Sequence, residues 1–390
     1  MLKIEDLGSR CTGCETCAAV CPHKSVQMVS NGEGFFFPAV DYNKCKGCRL
    51  CEKKCPALNI KGPEPSKQQS VYAVWSKNAA VRGESASGGA FSALAQGILR
   101  YEGTVFGAAF NAEMELLHAA AHTEYDLKKL RGSKYIQSHT EHGFREAKSL
   151  LAQGKRVLFC GTPCQIDGLY RALGDTEGLF TVDLLCHGVG SIGFFQRYIK
   201  YHEAKTKKRI ADVRFRDKSN GWRVPTFVFS YRDGCETKQI FRNNLFLSLF
   251  YNDLILRRSC YHCRFARRAR VGDISIGDYW GIEVQHPEIQ ATQEGVSLVM
   301  VNSEKGRQLF DEVKGSLEVH KSAVSKAVYG NRALERPCRR SMFRSVTLLF
   351  LNNVRFPLSG LVAHAFLFAT RVLRKIRKIF QGDTYEKKKA

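Results

Sequence analysis

Eight cysteines constrain the start of this chain more than any other feature. They fall in two copies of C-x2-C-x2-C-x3-C-P, one at Cys11, Cys14, Cys17, Cys21 and Pro22, the other at Cys45, Cys48, Cys51, Cys55 and Pro56. A stretch of about sixty residues this rich in thiols is too short for a sizeable apolar core, so it must be organised by what the thiols bind. C-x2-C-x2-C lets one tight loop present three thiolates at the corners of a small tetrahedron, and the fourth cysteine opens the next element. In two-cluster ferredoxins that fourth thiol serves the other centre. The spacing therefore predicts one 4Fe-4S centre on Cys11, Cys14, Cys17 and Cys55, and a second on Cys45, Cys48, Cys51 and Cys21. Zinc sites favour C-x2-C pairs over four closely spaced thiols followed by proline, twice. Between the copies, "VQMVSNGEGFFFPAVDYNK" alternates and turns around Asn31-Gly32 like a short hairpin. Residues 1–60 are read as a small two-cluster ferredoxin-like α+β domain, and 61–70 as a linker.

The remaining chain is long enough for ordinary cores: 390 residues, 44% hydrophobic. Its start, "MLKIEDLGSR", has no apolar signal region, which predicts a cytoplasmic location where thiols stay reduced. The fifteen cysteines are accordingly read as metal ligands rather than disulfides. The formal charge is +23, which suits nucleic acid, an anionic membrane surface or an anionic cofactor. No zinc-finger, helix-turn-helix or ribonucleoprotein signature accompanies it, so nucleic acid is set aside. Residues 331–390 hold 14 Lys+Arg against 3 Asp+Glu, a net +11, and form a basic tail. Asn352, Asn353, Arg355 and Pro357 interrupt its apolar run before it reaches membrane-spanning length. Residues 361–380 read as an amphipathic helix, with Ala369, Val372, Leu373, Ile376 and Ile379 on one side and Arg371, Arg374, Lys375 and Lys378 opposite. Two readings follow: peripheral contact with the inner membrane face, favoured by Phe366, Phe368 and Phe380, or a terminal helix packed on the body.

From Val71 strand-like and helix-like stretches alternate. "VYAVWS", "GTVFGAAF", "KRVLFCG" and "LFTVDLLCHG" read as strands; "SGGAFSALAQGILRYE", "EHGFREAKSLLAQG" and "GFFQRYIKYHEAKTKKR" read as helices. This predicts an α/β body, with "WRVPTFVFSYR" as an antiparallel edge. Cys164, Cys186, Cys260 and Cys263 can converge on a third cluster, two of them following buried strands; alternatively they are small core residues. Cys160, Cys235 and Cys338 are read as core. Arg258, Arg264, Arg267, Arg268 and Arg270 suit an anionic cluster or cofactor, or form a solvated basic helix. Ser87, Gly88 and Gly89 open a helix whose N–H groups suit a phosphate. "GVGSIG" (Gly188, Gly190, Gly193), with Asp212 downstream, formally matches a dinucleotide fingerprint but begins two residues after Cys186. Lys134 in "RGSKYIQS" is either a partner for cofactor charge or a surface ion-pair residue.

Taken together, "RGESASGGAFSALA", "RGSKYIQS", "VLFCGTPCQIDGL", "LLCHGVGS" and "SCYHCRFARRARVGDISIGDYWG" behind two ferredoxin motifs resemble the coenzyme F420 hydrogenase/dehydrogenase beta-subunit family. The likeness runs from about Cys11 to about Val301. It implies an α/β (mixed α+β) flavoprotein body, with 71–150 and 151–330 as its N- and C-terminal regions. It implies FAD, held by Ser87, Gly88, Gly89, Lys134, Tyr135, Gln137 and Ser138, and a third 4Fe-4S centre on Cys164, Cys186, Cys260 and Cys263. The implied activity is electron transfer between clusters and an anionic hydride carrier such as coenzyme F420, or another small organic substrate, through flavin. The alternative is an electron-transfer subunit of a larger hydrogenase or dehydrogenase, without a substrate site of its own. Either reading expects a ferredoxin-type or hydrogenase/dehydrogenase redox partner. No general base or nucleophile is assigned.

Overall fold

The computed structural model describes residues 3–59, 69–290 and 293–380. The 61–70 linker lies outside the described residues as far as position 68.

The two cysteine repeats fold alike. Each turns on a glycine in the left-handed region, Gly13 at φ 67° and Gly47 at φ 68°. Each then enters a short helix, Thr16–Ala19 or Leu50–Lys54, through a left-handed residue, Glu15 or Arg49. Strands β1 (Val26–Ser30) and β2 (Phe36–Val40) pair antiparallel, Val26 opposite Val40. Asn31 closes the turn by accepting the backbone N–H groups of Glu33 (3.1 Å) and Phe35 (3.0 Å) on Oδ1.

The body's strands are β3 (Ser70–Ser76), β4 (Thr104–Phe110), β5 (Leu116–Ala121), β6 (Val157–Gly161), β7 (Leu179–Leu184) and β8 (Ile210–Asp217). They continue as β9 (Thr226–Tyr231), β10 (Glu236–Ile240), β11 (Ile274–Asp278), β12 (Ser297–Val301) and β13 (Leu317–Ser322). Eight form one sheet in the order β13-β3-β12-β11-β7-β6-β4-β5. The central run β11-β7-β6-β4 is parallel, and the outer pairings are antiparallel. β6 is buried along its whole length because helices cover both faces. Leu158 packs with Leu94, Ile98 and Leu309 on one side, and Val157 and Phe159 with Phe144, Ile166 and Leu169 on the other. The parallel strands thus present their C-terminal ends at one edge, where an open α/β sheet carries functional groups.

"WRVPTFVFSYR" is not an edge. β9 is the middle strand of a separate sheet, β10-β9-β8, and Pro225 precedes it without interrupting the ladder. Phe227 and Phe229 bury into an aromatic core with Phe195, Phe215 and Phe246. The dinucleotide reading of "GVGSIG" also fails. The helix Ile192–Thr206 meets the β1–β2 turn: Gly193 N–H donates to Gly34 O at 3.0 Å, and a Cβ on Gly193 would lie 2.7 Å from Gly34 Cα. A pyrophosphate has no space there.

The described residues end in two helices, Arg344–Asn353 and Leu358–Phe380. No described helix is long and apolar enough to cross a membrane. Leu367 and Thr370 are buried against the body, while Ala369 and Val372 are half-buried and Leu373 is exposed. The side chains of Arg374 and of 376–380 lie outside the described residues.

Candidate redox centres and cofactor cleft

The cysteines assort into three sets. Burial, then the charges of Cys14, Cys11 and Cys55, push the Cys17 thiol far up. Cys21, Cys45, Cys48 and Cys51 line one cavity of about 390 Å³. Each repeat therefore faces the fourth cysteine of the other. In the body, Cys164, Cys186, Cys260 and Cys263 line a cavity of about 360 Å³. Burial, then Cys260, Cys164 and Cys263, raise the Cys186 thiol. Crowding four ionisable thiols around one space is unfavourable until a metal centre neutralises them, so each set suits a 4Fe-4S group. Cys164 and Cys186 meet because they follow β6 and β7, adjacent parallel strands; Cys260 and Cys263 come from the tight turn Arg258–His262.

The sets run inward from solvent. Cys48 is exposed, whereas Cys11, Cys14, Cys17 and Cys55 are buried. The first repeat is held by the body at several points. Glu15 is buried, and its carboxylate accepts His139 Nδ1 (2.6 Å) and the N–H groups of Thr140 (2.7 Å) and Glu141 (3.0 Å), at the start of helix Glu141–Ala152. The fully buried Arg257 donates Nε to Cys11 O (2.9 Å) and Nη2 to Cys11 Sγ (3.4 Å) and Phe36 O (2.9 Å). Cys14 packs on the helix Pro163–Leu173 that carries Cys164: a Cβ on Gly168 would lie 3.3 Å from Cys14 Sγ, so the inner repeat lies beside the body set.

A guanidinium donor at a ligand sulfur favours the more negative, reduced state of that centre. Arg257→Gln is therefore expected to lower the midpoint potential of the centre that Cys11 ligates and to leave any other in place. A potentiometric titration followed by electron paramagnetic resonance reads this, and unchanged potentials would remove Arg257 from that role.

Four of the five arginines around Cys263 have carboxylate partners. Arg258 pairs with Glu33 at 2.6 Å, Arg264 with Asp167, Arg268 with Glu335 at 2.9 Å and Arg270 with Asp183 at 2.6 Å. They are neither a solvated helix nor an open anion site. Asp183 is fully buried and also accepts the N–H groups of Val271 and Gly272, so Arg270 fixes the loop behind Cys263. Cys235 is exposed in the β9–β10 turn and is not a core residue. Cys338 is buried, but it joins the four body thiols in lining their cavity and contacts Cys260 O through Sγ at 3.4 Å.

A second cleft opens at the C-terminal ends of β4, β6 and β11. Ser87, Gly89, Lys134 and Ser138 line it, as do His118, Thr162, Gln165, Asp278 and Ser297. Tyr135, Gln137 and Gly88 are not among them. The chain from Lys134 to Ser138 is extended, so alternate side chains point opposite ways. Tyr135 turns away to stack on Phe250 at 4.5 Å, and Gln137 reaches Thr12 O at 2.9 Å. Gly88 packs on β3, where a Cβ would lie 2.4 Å from Val74 O. Gly89, at φ 95°, starts helix Ala90–Leu99 without a side-chain cap.

Sequence reading missed His118, Asp278 and Lys218. Burial lowers His118 to about 4, so its ring is neutral at pH 7. Cys160 O, 3.0 Å from Nε2, requires a proton on that nitrogen, and Nδ1 then accepts the Ser138 hydroxyl at 2.9 Å. Asp278 ends β11 within the quoted "GDYWG", accepts Trp222 Nε1 at 2.7 Å and pairs with the buried Arg216. Lys218 donates to Arg82 O (2.7 Å), Ser87 O (2.6 Å) and Glu294 O (2.6 Å), which pins the Ser87 loop. No single local pattern marks these three.

Residues 154–326 match the C terminus of the beta subunit in the coenzyme F420 hydrogenase/dehydrogenase family. This match lies wholly within the body and covers less than half of the chain. Residues 10–59 match the 4Fe-4S dicluster domain, so in this chain the beta-subunit region follows an iron–sulfur module. No curated protein matches the chain. Among solved structures, one from "Xenon derivatization of the F420-reducing [NiFe] hydrogenase complex from Methanosarcina barkeri" is similar at 16% identity, covering 82% of this chain and 94% of that chain, with a TM-score of 0.46. All four cysteines assigned to the body cluster fall within the beta-subunit match, and all eight of the repeats within the dicluster match.

Proposed function

We propose that the chain is an iron–sulfur flavoprotein oxidoreductase that moves electrons between three 4Fe-4S centres and an organic hydride donor or acceptor through FAD. One observation carries this reading: Thr162 lines both the body thiol cavity and the cleft. The wall between them continues through Gln137 on the thiol side and Ser138 on the cleft side. When bound, the 4Fe-4S groups supply one-electron steps and FAD supplies the exchange between single electrons and hydride. The exposed Cys48 end suits contact with a redox partner, and the set of Cys11, Cys14, Cys17 and Cys55 is buried.

The cleft's chemistry fits a flavin. The uncapped N–H groups after Gly89 suit phosphate, and Ser87, Ser133 and Ser138 supply hydroxyls. Its enclosed part is about 180 Å³, below the roughly 300 Å³ usual for a drug-sized ligand. A dinucleotide would fill it with one end and extend along its mouth. Lys134 donates to Lys129 O (2.9 Å) and Arg131 O (2.6 Å), holding the turn that forms one rim. Burial lowers its ammonium to about 8. Lys134→Met is expected to weaken flavin retention about tenfold, equivalent to about 1.4 kcal/mol, measured as FAD released per chain after gel filtration.

Turnover by the isolated chain tests the reading. Oxygen-free protein should bind FAD and pass electrons from a reduced viologen dye to F420 or another hydride acceptor. Bound FAD that is reduced only after a hydrogenase or dehydrogenase partner is added would instead make the chain an electron-transfer subunit. Absence of bound FAD would overturn both versions.

A further inference from the structure

The C-terminal helices carry a surface that the redox path does not use. Residues 336–382 contain ten Lys+Arg and no Asp or Glu. The helices Arg344–Asn353 and Leu358–Phe380 run antiparallel: Phe343 stacks on Phe366 at 5.3 Å, and Ser341 meets Thr370 at 3.3 Å. Their inner faces bury Leu348, Leu351, Ala363 and Leu367. Their outer faces are also apolar, and they are open.

Val346 and Leu349 stand on the exposed side of the first helix, and Met342 (76% exposed) in the turn that leads into it. Leu358, Leu361 (65% exposed) and Phe368 (70% exposed) line the exposed side of the second helix. Large apolar side chains rarely stand this open in a row without a partner. The exposed Arg339, Arg340, Arg355, Arg371 and Lys375 surround them, with no ion pair among the described residues. The inward-pointing Arg344 is different: it is buried and bonded to Glu33 at 2.8 Å, so it anchors the hairpin to the first domain.

We propose that this helical hairpin docks the protein on an anionic lipid bilayer, with Leu361, Phe368, Leu349 and Met342 entering the interface and the arginines meeting lipid phosphates. The charge pattern selects this occupant. A row of apolar side chains bordered by cations alone complements the boundary between acyl chains and anionic headgroups. A second copy of the chain would bring the same cations against themselves. The hairpin lies on the surface rather than spanning, since no described helix is apolar enough to cross.

The test uses the full-length holoprotein, kept oxygen-free, in flotation with vesicles of neutral phosphatidylcholine or with about 30% phosphatidylglycerol. Anionic vesicles should carry at least ten times more protein than neutral ones. Raising salt from about 0.1 to about 0.5 M should reduce that share several-fold. The pair Leu361→Asp with Phe368→Asp, and separately Arg371→Glu with Lys375→Glu, should each lower it about tenfold. All four side chains are exposed, so visible absorbance of the clusters should not change and serves as the folding control. Equal binding to both vesicle types, binding unaffected by either pair, or a dimer dissolved by the Asp pair would each overturn the proposal.

Discussion

Cys186→Ala is expected to remove about four of about twelve irons per chain and to cut the flavin off from the ferredoxin module, while both amino-terminal centres stay filled. Cys186 sits in the loop directly after β7, and Cys164 in the first turn of the helix Pro163–Leu173 that follows β6; both line the same cavity. Burial and its three companions raise its thiol. Removing it leaves Cys164, Cys260 and Cys263 of the set; the other thiol on the cavity of about 360 Å³, Cys338, contacts Cys260 O through Sγ and is not placed as a replacement ligand. The inner repeat is held separately, by Glu15 on helix Glu141–Ala152 and by Arg257, and neither contact involves Cys186. Iron and sulfide analysis with the visible spectrum reads the loss. Iron unchanged at the parent value would show that the body thiols do not hold a cluster.

The second large effect is structural. Glu33, in the β1–β2 turn, accepts Arg258 at 2.6 Å and the fully buried Arg344 at 2.8 Å. Burial alone would raise its pKa, but hydrogen bonds and charge from the two arginines outweigh burial and hold it at about 2. Glu33→Gln leaves the Arg344 guanidinium buried without its counter-charge, and is expected to destabilise the fold by about 3–5 kcal/mol. The pH dependence follows from the same pair. The folded pKa lies below the ordinary value of 4.5, so the unfolded chain binds the proton first. The stabilisation is complete above about pH 4.5, is lost as pH falls towards 2, and amounts to about 3 kcal/mol. Urea unfolding of parent and variant at pH 7 and pH 3 checks both statements: the difference between them should shrink at the lower pH. A variant equal to the parent at pH 7 would show that the turn is not locked by this pair.

What the sequence revealed depended on distance along the chain. The two repeats were readable because their spacing is local, and the structure brings the first three thiols of each near the fourth of the other. The strands "VYAVWS" and "KRVLFCG" were readable because burial on both faces leaves an unbroken apolar run. The Glu33–Arg344 pair spans 311 residues and leaves no local trace. Cys338 looked like an isolated core cysteine because its neighbours in space lie almost eighty positions earlier in the chain. Tyr135 and Gln137 were grouped with Lys134 and Ser138 because one motif contains all four, yet an extended backbone sends alternate side chains to different sites. "WRVPTFVFSYR" read as an edge, but β9 is the middle strand of its sheet, with the proline just ahead of it.

The central claim is that three thiol sets hold cubane clusters in a line ending at a flavin. Iron, acid-labile sulfide and flavin measured in one oxygen-free preparation of the whole chain test it most directly. The account predicts about twelve irons, about twelve sulfides and about one FAD per chain. A colourless protein that holds zinc or no metal and releases no yellow cofactor would contradict it.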